Sequence, residues 1–338
     1  MRRSRILGTG SFVPERVVSN DDLKQWMETT HEWIEERTGI RERHWVEWGK
    51  GIGSSDLGVE AARRALAEAG MEPQDVQLVI FATLSADHLF PGNGVFLQRK
   101  IGMKPGSASL DIRQQCTGFI YGLSVADQFI KTGMFDRVLV VGAEVHSTGL
   151  DLTTRGRDVA VIFGDGAGAV VLGPAEEGDP SGIVSTHLHA DGNHAEDLWT
   201  EYPSSKERPQ CGPEAFENGA TRQFPKMKGK QVFKHAVPGM AEAVFEALAT
   251  NQVNLADLKM LICHQANLRI NEYLQKQVLG LPDDRVYNNI QRYGNTTAAS
   301  IPIAFDECRR TGRVKKGDLV CFAAFGAGFT WGSALIRL

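Results

Sequence analysis

Three side chains in this sequence carry the chemistry to make and break thioesters: Cys116, His264 and Asn295. A thiol near a helix N-terminus gains thiolate character from the helix dipole and its unpaired N–H groups, and a thiolate attacks a thioester carbonyl. An imidazole Nε2–H and a side-chain amide both donate hydrogen bonds to a developing enolate oxygen. A histidine and an asparagine together therefore suit carbanion chemistry better than hydrolysis. Each residue alone has a plainer reading, because a lone Cys or His is more often a packed core residue than a catalyst. Cys116 stands apart because residues 114–118 (QQCTG) form a polar, glycine-containing loop, whereas Cys263, Cys308 and Cys321 read as small buried hydrophobes.

The elements that must position these groups repeat along the chain. Strand-like and helix-like segments alternate throughout, which predicts an α/β architecture. Residues 55–70 read as a helix stopped by Gly70, and residues 75–83 (DVQLVIFAT) as a buried strand. About 182 positions later the pattern returns: Ala61, Ala65, Leu66, Ala67, Asp75 and Ile80 answer to Ala243, Ala247, Leu248, Ala249, Asp257 and Ile262. Cys116 lies 16 residues before Thr132-Gly133, and Asn295 lies 16 residues before Thr311-Gly312, with Asp127 and Asp306 in matching register. Each half closes on a glycine-rich run, residues 163–172 (FGDGAGAVVL) and 325–336 (FGAGFTWGSALI). Any α/β protein echoes itself once; two echoes in the same order indicate duplication. Two similar α/β halves packed as a pseudo-dimer are the expectation, with residues 1–175 carrying Cys116 and residues 176–338 carrying His264 and Asn295. Ligands of such sheets gather beyond the carboxyl ends of strands, beside helix N-termini. Cys116 and Asn295 each precede a helical run (118–130 and 298–309), and His264 follows the strand 260–263, so the three are expected on one face.

At these residues the chain resembles the β-ketoacyl-acyl-carrier-protein synthase III family, and the resemblance runs nearly end to end. It rests on residues 8–14 (GTGSFVP), 32–41 (EWIEERTGIR), 116–119 (CTGF), 163–168 (FGDGAG), 264–267 (HQAN), 293–296 (YGNT) and 328–332 (GFTWG). The resemblance implies the thiolase-like five-layered αβαβα fold, a homodimer and decarboxylative Claisen condensation of an acyl-coenzyme A primer with malonyl-acyl carrier protein. It implies that Cys116 is the acylated nucleophile and that His264 and Asn295 hold the enolate. The backbone N–H groups of Cys116 and Ala327 would form the oxyanion hole. Thr29, Trp33, Arg37, Arg155 and Asn267 would bind coenzyme A, and Phe90, lent by the dimer partner, and Phe325 would line the acyl pocket. Arg and Trp suit a nucleotide through stacking and bidentate hydrogen bonds. Lys226, Lys228, Lys230 and Lys234, with Arg269 after the His264 loop, offer a docking patch for an acidic carrier protein; Lys234 and Arg269 are its named candidates. Acyl-coenzyme A enters as substrate, and no permanently bound cofactor is implied.

Composition excludes other classes. The 338 residues carry a net charge of −4, without the basic stripe of a nucleic-acid binder. No stretch approaches the roughly 20 apolar residues of a membrane span, and no signal-peptide core follows the basic start. Five cysteines without CxxC spacing read as reduced thiols, and a cytoplasmic setting is expected. Residues 8–10 (GTG) fail as a dinucleotide fingerprint because Pro14 falls where its helix should run, which removes a nicotinamide-dependent oxidoreductase. His187, His189 and His194 lack a carboxylate or thiol at zinc-site spacing.

Three departures from the family pattern stand out. His31 replaces a usual acidic residue, Ala327 interrupts an all-glycine turn, and residues 195–228 form an enlarged loop carrying Trp199, Tyr202, Phe216 and Phe224. Residues 113–115 (RQQ) are also unusually polar before the cysteine. A loop of that length predicts a lid or a binding element, with an acyl preference other than acetyl. Two alternatives remain: a thiolase-fold acyltransferase of specialised metabolism, and a noncatalytic partner subunit of a condensing enzyme. Intact Cys116, His264 and Asn295 argue against the second.

Overall fold

The structure is a computed structural model that describes residues 2–213, 217 and 219–338; Phe216 of the enlarged loop lies outside the described residues. The first part of the chain forms β1 (Ser4–Phe12), the short pair β2 (Val17–Ser19) and β3 (Glu42–His44) around α1 (His31–Thr38), and α2 (Ser54–Ala69). It continues with β4 (Leu78–Ala82), α3 (Asn93–Ile101), β5 (Ala108–Ile112), α4 (Gly118–Lys131), β6 (Val138–Glu144), α5 (Arg157–Ala160) and β7 (Gly166–Pro174). The second part contributes β8 (Gly182–Ala190), β9 (Leu198–Trp199), β10 (Lys226–Met227), α6 (Gly229–Thr250) and β11 (Met260–Cys263). Then come α7 (Leu268–Tyr273), α8 (Ile290–Tyr293), α9 (Ser300–Arg310), β12 (Leu319–Gly326) and β13 (Thr330–Arg337).

One sheet has strand order β1-β7-β6-β4-β5 and the other β11-β12-β13-β8. Helices α4 and α9 lie between them. Phe119, Leu123 and Ile130 of α4 and Ile301, Phe305 and Cys308 of α9 share one core with Ile80, Val140 and Val170 of the first sheet and Ile262, Phe322 and Ile336 of the second. Helix α2 covers the outer face of the first sheet and α6 that of the second. The result is five layers, αβαβα. Helix α2 reaches the sheet because Gly8 and Gly10 of β1 have no Cβ: one added there would fall 2.3 Å from the Ala65 and Ala61 carbonyl oxygens. Those glycines serve helix packing.

The repeated aspartates have repeated jobs. Asp127 and Asp306 are buried, each pairs with a basic residue one turn on (Lys131 at 2.7 Å, Arg310 at 3.0 Å), and each accepts hydroxyl hydrogen bonds from β1. Asp75 and Asp257 each accept a backbone N–H three residues back, from Glu72 (3.0 Å) and Asn254 (3.1 Å). They close tight turns ahead of β4 and β11, so the strand expected from residue 75 begins at Leu78.

Candidate active site

Cys116 sits in a tight turn (Gln115–Thr117) that feeds directly into α4, and only 8% of it is exposed. Its own backbone N–H and that of Ala327 act on the sulfur to favour the thiolate. Ala327 does not adopt positive φ, so an alanine between Gly326 and Gly328 leaves this donor in place. Gly326 is required by contact: a Cβ there would lie 2.5 Å from Cys116 Cβ and 3.1 Å from its sulfur. The helix N-terminus does not win the electrostatic balance. Burial pushes the thiol up to about 12, the buried Glu144 adds to it, and the two N–H groups offset only part. Glu144, at the end of β6, is itself raised to about 7 by burial, against hydrogen bonds from Ser85, Thr83 and the Leu84 N–H.

His264 follows β11 and is fixed through Nδ1, 2.7 Å from Ser300 Oγ at the start of α9. With the Ser300 hydroxyl, which also accepts the Gln265 N–H (3.3 Å), assigned as donor to Nδ1, the imidazole hydrogen falls on Nε2. Nε2 is buried and has no partner. Burial lowers the ring to about 3, so it is neutral. Asn295 is stitched to the first half by both backbone groups, its N–H to the Ile162 carbonyl (2.8 Å) and its carbonyl to the Gly164 N–H (3.1 Å). Its Oδ1 accepts the Thr297 N–H (2.8 Å), which leaves the NH₂ group to donate elsewhere. Thr297 holds a left-handed φ of 49° and is bonded through Oγ1 to His146 Nε2 at 2.6 Å. Cys116, His264, Asn295, Ala327 and Phe325 line one cavity of about 960 Å³.

Family models for 3-oxoacyl-[acyl-carrier-protein] synthase III match residues 110–192 and, for its C-terminal part, 248–338. A β-ketoacyl-[acyl-carrier-protein] synthase III of Alkalilimnicola ehrlichii is 45% identical over 340 residues, covering 100% of each chain. The chain belongs to the β-ketoacyl-acyl-carrier-protein synthase III family. It is thus an acyltransferase. The crystal structure of the synthase III of Aquifex aeolicus superposes with a TM-score of 0.89 at 38% identity, covering 99% of this chain and 100% of that one. A priming β-ketosynthase from a polyketide biosynthetic pathway superposes with a TM-score of 0.89 at 34% identity, covering 99% and 96%.

The residues that the family resemblance assigns to coenzyme A fall in different settings. Trp33 lies between two guanidinium groups, Arg37 at 4.5 Å and Arg157 at 4.6 Å from its ring. Arg155 is engaged elsewhere, bonded to Asp151 (2.8 Å) and to the carbonyls of Gly219 and Ala220 in the enlarged loop. Arg157, which no motif singles out, is therefore a second arginine on the indole beside Arg37. Thr29 Oγ1 is buried without a partner. Asn267 caps α7 and donates to the Arg37 carbonyl (3.0 Å), so its amide is engaged at both ends. His31 bonds Glu35 at 2.9 Å.

Phe90 is 83% exposed and does not line its own chain's cavity. Arg269 bonds the Glu35 and Glu36 carbonyls at the end of α1, and Lys226 and Lys228 pair with Glu201 and Asp197. Of the basic cluster, Lys230 and Lys234 stay exposed and make no ion pair among the described residues. His187 and His189 both bond the Glu246 carboxylate, and no group of three or more possible metal ligands occurs among the described residues. No helix there is long and apolar enough to cross a membrane. His146, Thr297, Ser300 and Glu144 had escaped the sequence reading. The first three are single polar residues outside any motif, and only the fold reveals what they touch.

Proposed function

We propose that this enzyme condenses an acyl-coenzyme A primer with malonyl-acyl carrier protein, through an acyl group carried on Cys116. Residues 1–175 supply the nucleophile and residues 176–338 supply His264 and Asn295. Cys116 sulfur attacks the thioester carbonyl, its proton leaves with the coenzyme A thiol, and the N–H groups of Cys116 and Ala327 stabilise the tetrahedral oxyanion. Malonyl thioester then loses carbon dioxide. The enolate oxygen is held by His264 Nε2–H and the Asn295 amide, and the enolate carbon attacks the acyl-cysteine carbonyl, expelling the Cys116 thiolate. One proton is consumed overall.

The observation that carries this reading is the buried, unpartnered Nε2 of His264 in the cavity that Cys116 lines. An uncompensated polar atom in a core is costly unless a ligand satisfies it. Trp33 with Arg37 and Arg157 grips the nucleotide, Thr29 and Asn267 flank the pantetheine arm, and Lys234 with Arg269 meets the carrier protein. Arg155 acts indirectly, by holding the enlarged loop. The test is intact-protein mass spectrometry after exposure to a panel of acyl-coenzyme A thioesters. A mass gain at Cys116, absent from Cys116→Ala, is expected; condensation by Cys116→Ala at the wild-type rate would sink the assignment.

A second reading keeps the chemistry and changes the pathway. The enlarged loop contributes Trp199, Tyr202, Pro203 and Pro225 to the cavity wall, and the polyketide-priming relative shares the fold. Labelling of Cys116 by long or unusual acyl groups, and not by acetyl, would select it.

A further inference from the structure

We propose that the cavity is built for an acyl group bearing a hydroxyl or carbonyl oxygen, and that His146 and Gln223 recognise that oxygen. This rests on the reading that Cys116 carries the acyl group. Two observations support it independently.

The first is His146. It follows β6 directly, and its N–H is anchored to Asp165 Oδ1 at 2.7 Å. The ring lies 4.7 Å from that of Phe163, is 8% exposed, and lines the cavity. Only Nε2 is engaged, by Thr297 Oγ1; Nδ1 makes no hydrogen bond among the described residues. Burial keeps the ring neutral, so it offers the cavity a hydrogen-bonding atom without a charge. The second is Gln223, from the enlarged loop. Its Oε1 is buried, has no partner, and belongs to a residue lining the same cavity. Gln115, next to the nucleophile, also lines it, and its amide makes no hydrogen bond among the described residues.

A cavity for a plain alkyl chain gains nothing from these atoms and leaves them unsatisfied. The wall also carries apolar side chains, including Leu150, Ile162, Leu198 and Met227, that suit the carbon skeleton. A ligand oxygen reaching His146 or Gln223 would satisfy groups that the protein leaves open. Sites built this way discriminate strongly against analogues lacking the oxygen.

The experiment compares Cys116 acylation rates, read by mass spectrometry, for hexanoyl-, 3-hydroxyhexanoyl-, 3-oxohexanoyl- and 6-hydroxyhexanoyl-coenzyme A. At least one oxygenated donor is expected to react about tenfold faster than hexanoyl, with His146→Leu or Gln223→Leu collapsing that ratio toward one. Ratios within one protein cancel any general loss of activity caused by a substitution. Hexanoyl reacting as fast as every oxygenated donor, or a preference unchanged in both variants, overturns the inference and leaves the acyl-cysteine reading standing. Failure of all four donors to label Cys116 overturns the inference, and failure of acetyl- and long-chain acyl-coenzyme A as well overturns both.

Discussion

A buried imidazole that stays neutral can donate from Nε2 at any pH near neutrality, which is what an enolate oxygen needs. Replacing His264 or Asn295 by alanine removes one of two donors, and loss of one such donor costs on the order of 100- to 1,000-fold in rate. Each variant is expected to acylate Cys116 and to lose most decarboxylation, measured as carbon dioxide released from malonyl-acyl carrier protein. Wild-type release by either would refute the enolate role. The same burial makes the fold acid-sensitive. His264 and His146 titrate at about 3 when folded, against an ordinary 6.5. Between these values the unfolded chain binds more protons, so their contribution is complete above pH 6.5 and is lost as pH falls toward 3, at up to about 1.4 kcal/mol per pH unit for each. Urea unfolding at pH 7 and pH 5 should show that fall, with a smaller slope in His146→Leu. Cys116, His264 and Asn295 were legible because they sit in motifs at matched places in a repeat. His146 was not: one histidine after a strand carries no sign of which way it faces.

At the level of elements, the loop spanning 195–228 is tied down by charge. Arg222 bonds Glu201 and Glu207, Lys226 bonds Glu201, Lys228 bonds Asp197, and Arg155 reaches across to two loop carbonyls. Arg155→Ala is expected to speed backbone hydrogen exchange in residues 199–213 and 219–225 and to raise the KM for acyl-coenzyme A, while exchange in β6 and β12 is unchanged. Equal protection of the loop in both proteins would show that Arg155 does not hold it. Helix and strand positions followed from periodicity because buried faces impose it: α2, α4 and β11 lie within one or two residues of the expected bounds. The loop carries no such period, so its path over the cavity had no sequence signature. That Arg157 lies against the Trp33 ring while Arg155 bonds Asp151 and the loop is likewise something no motif records.

Across the whole molecule, β5 is an edge strand; Leu110 on it is exposed, as are Val95, Leu89 and Phe90. An apolar edge left bare invites association. The homodimer that the family resemblance implies would cover it and carry Phe90 to the neighbouring acyl pocket. Sedimentation should show a dimer, and Leu110→Asp should shift it to monomer and lower condensation; a fully active monomer would remove the partner's role. The five layers were foreseeable from the duplicated pattern and the family resemblance, because a sheet buried on both faces needs a helix layer on each side. Which helix crosses to which sheet was not.

That crossing bears on synthesis. Helix α9, near the end of the chain, packs on β7 and β1, and Phe305 and Ile301 close a core that also holds Ile80, Val140 and Val170. A ribosome therefore releases β1 and β7 long before the helix that roofs their part of the inner face. Until then those strands present bare apolar surface, and a fragment ending at residue 175 should aggregate when expressed alone. The interlocked middle layer leaves the newborn chain with an unfinished core until its last helix emerges.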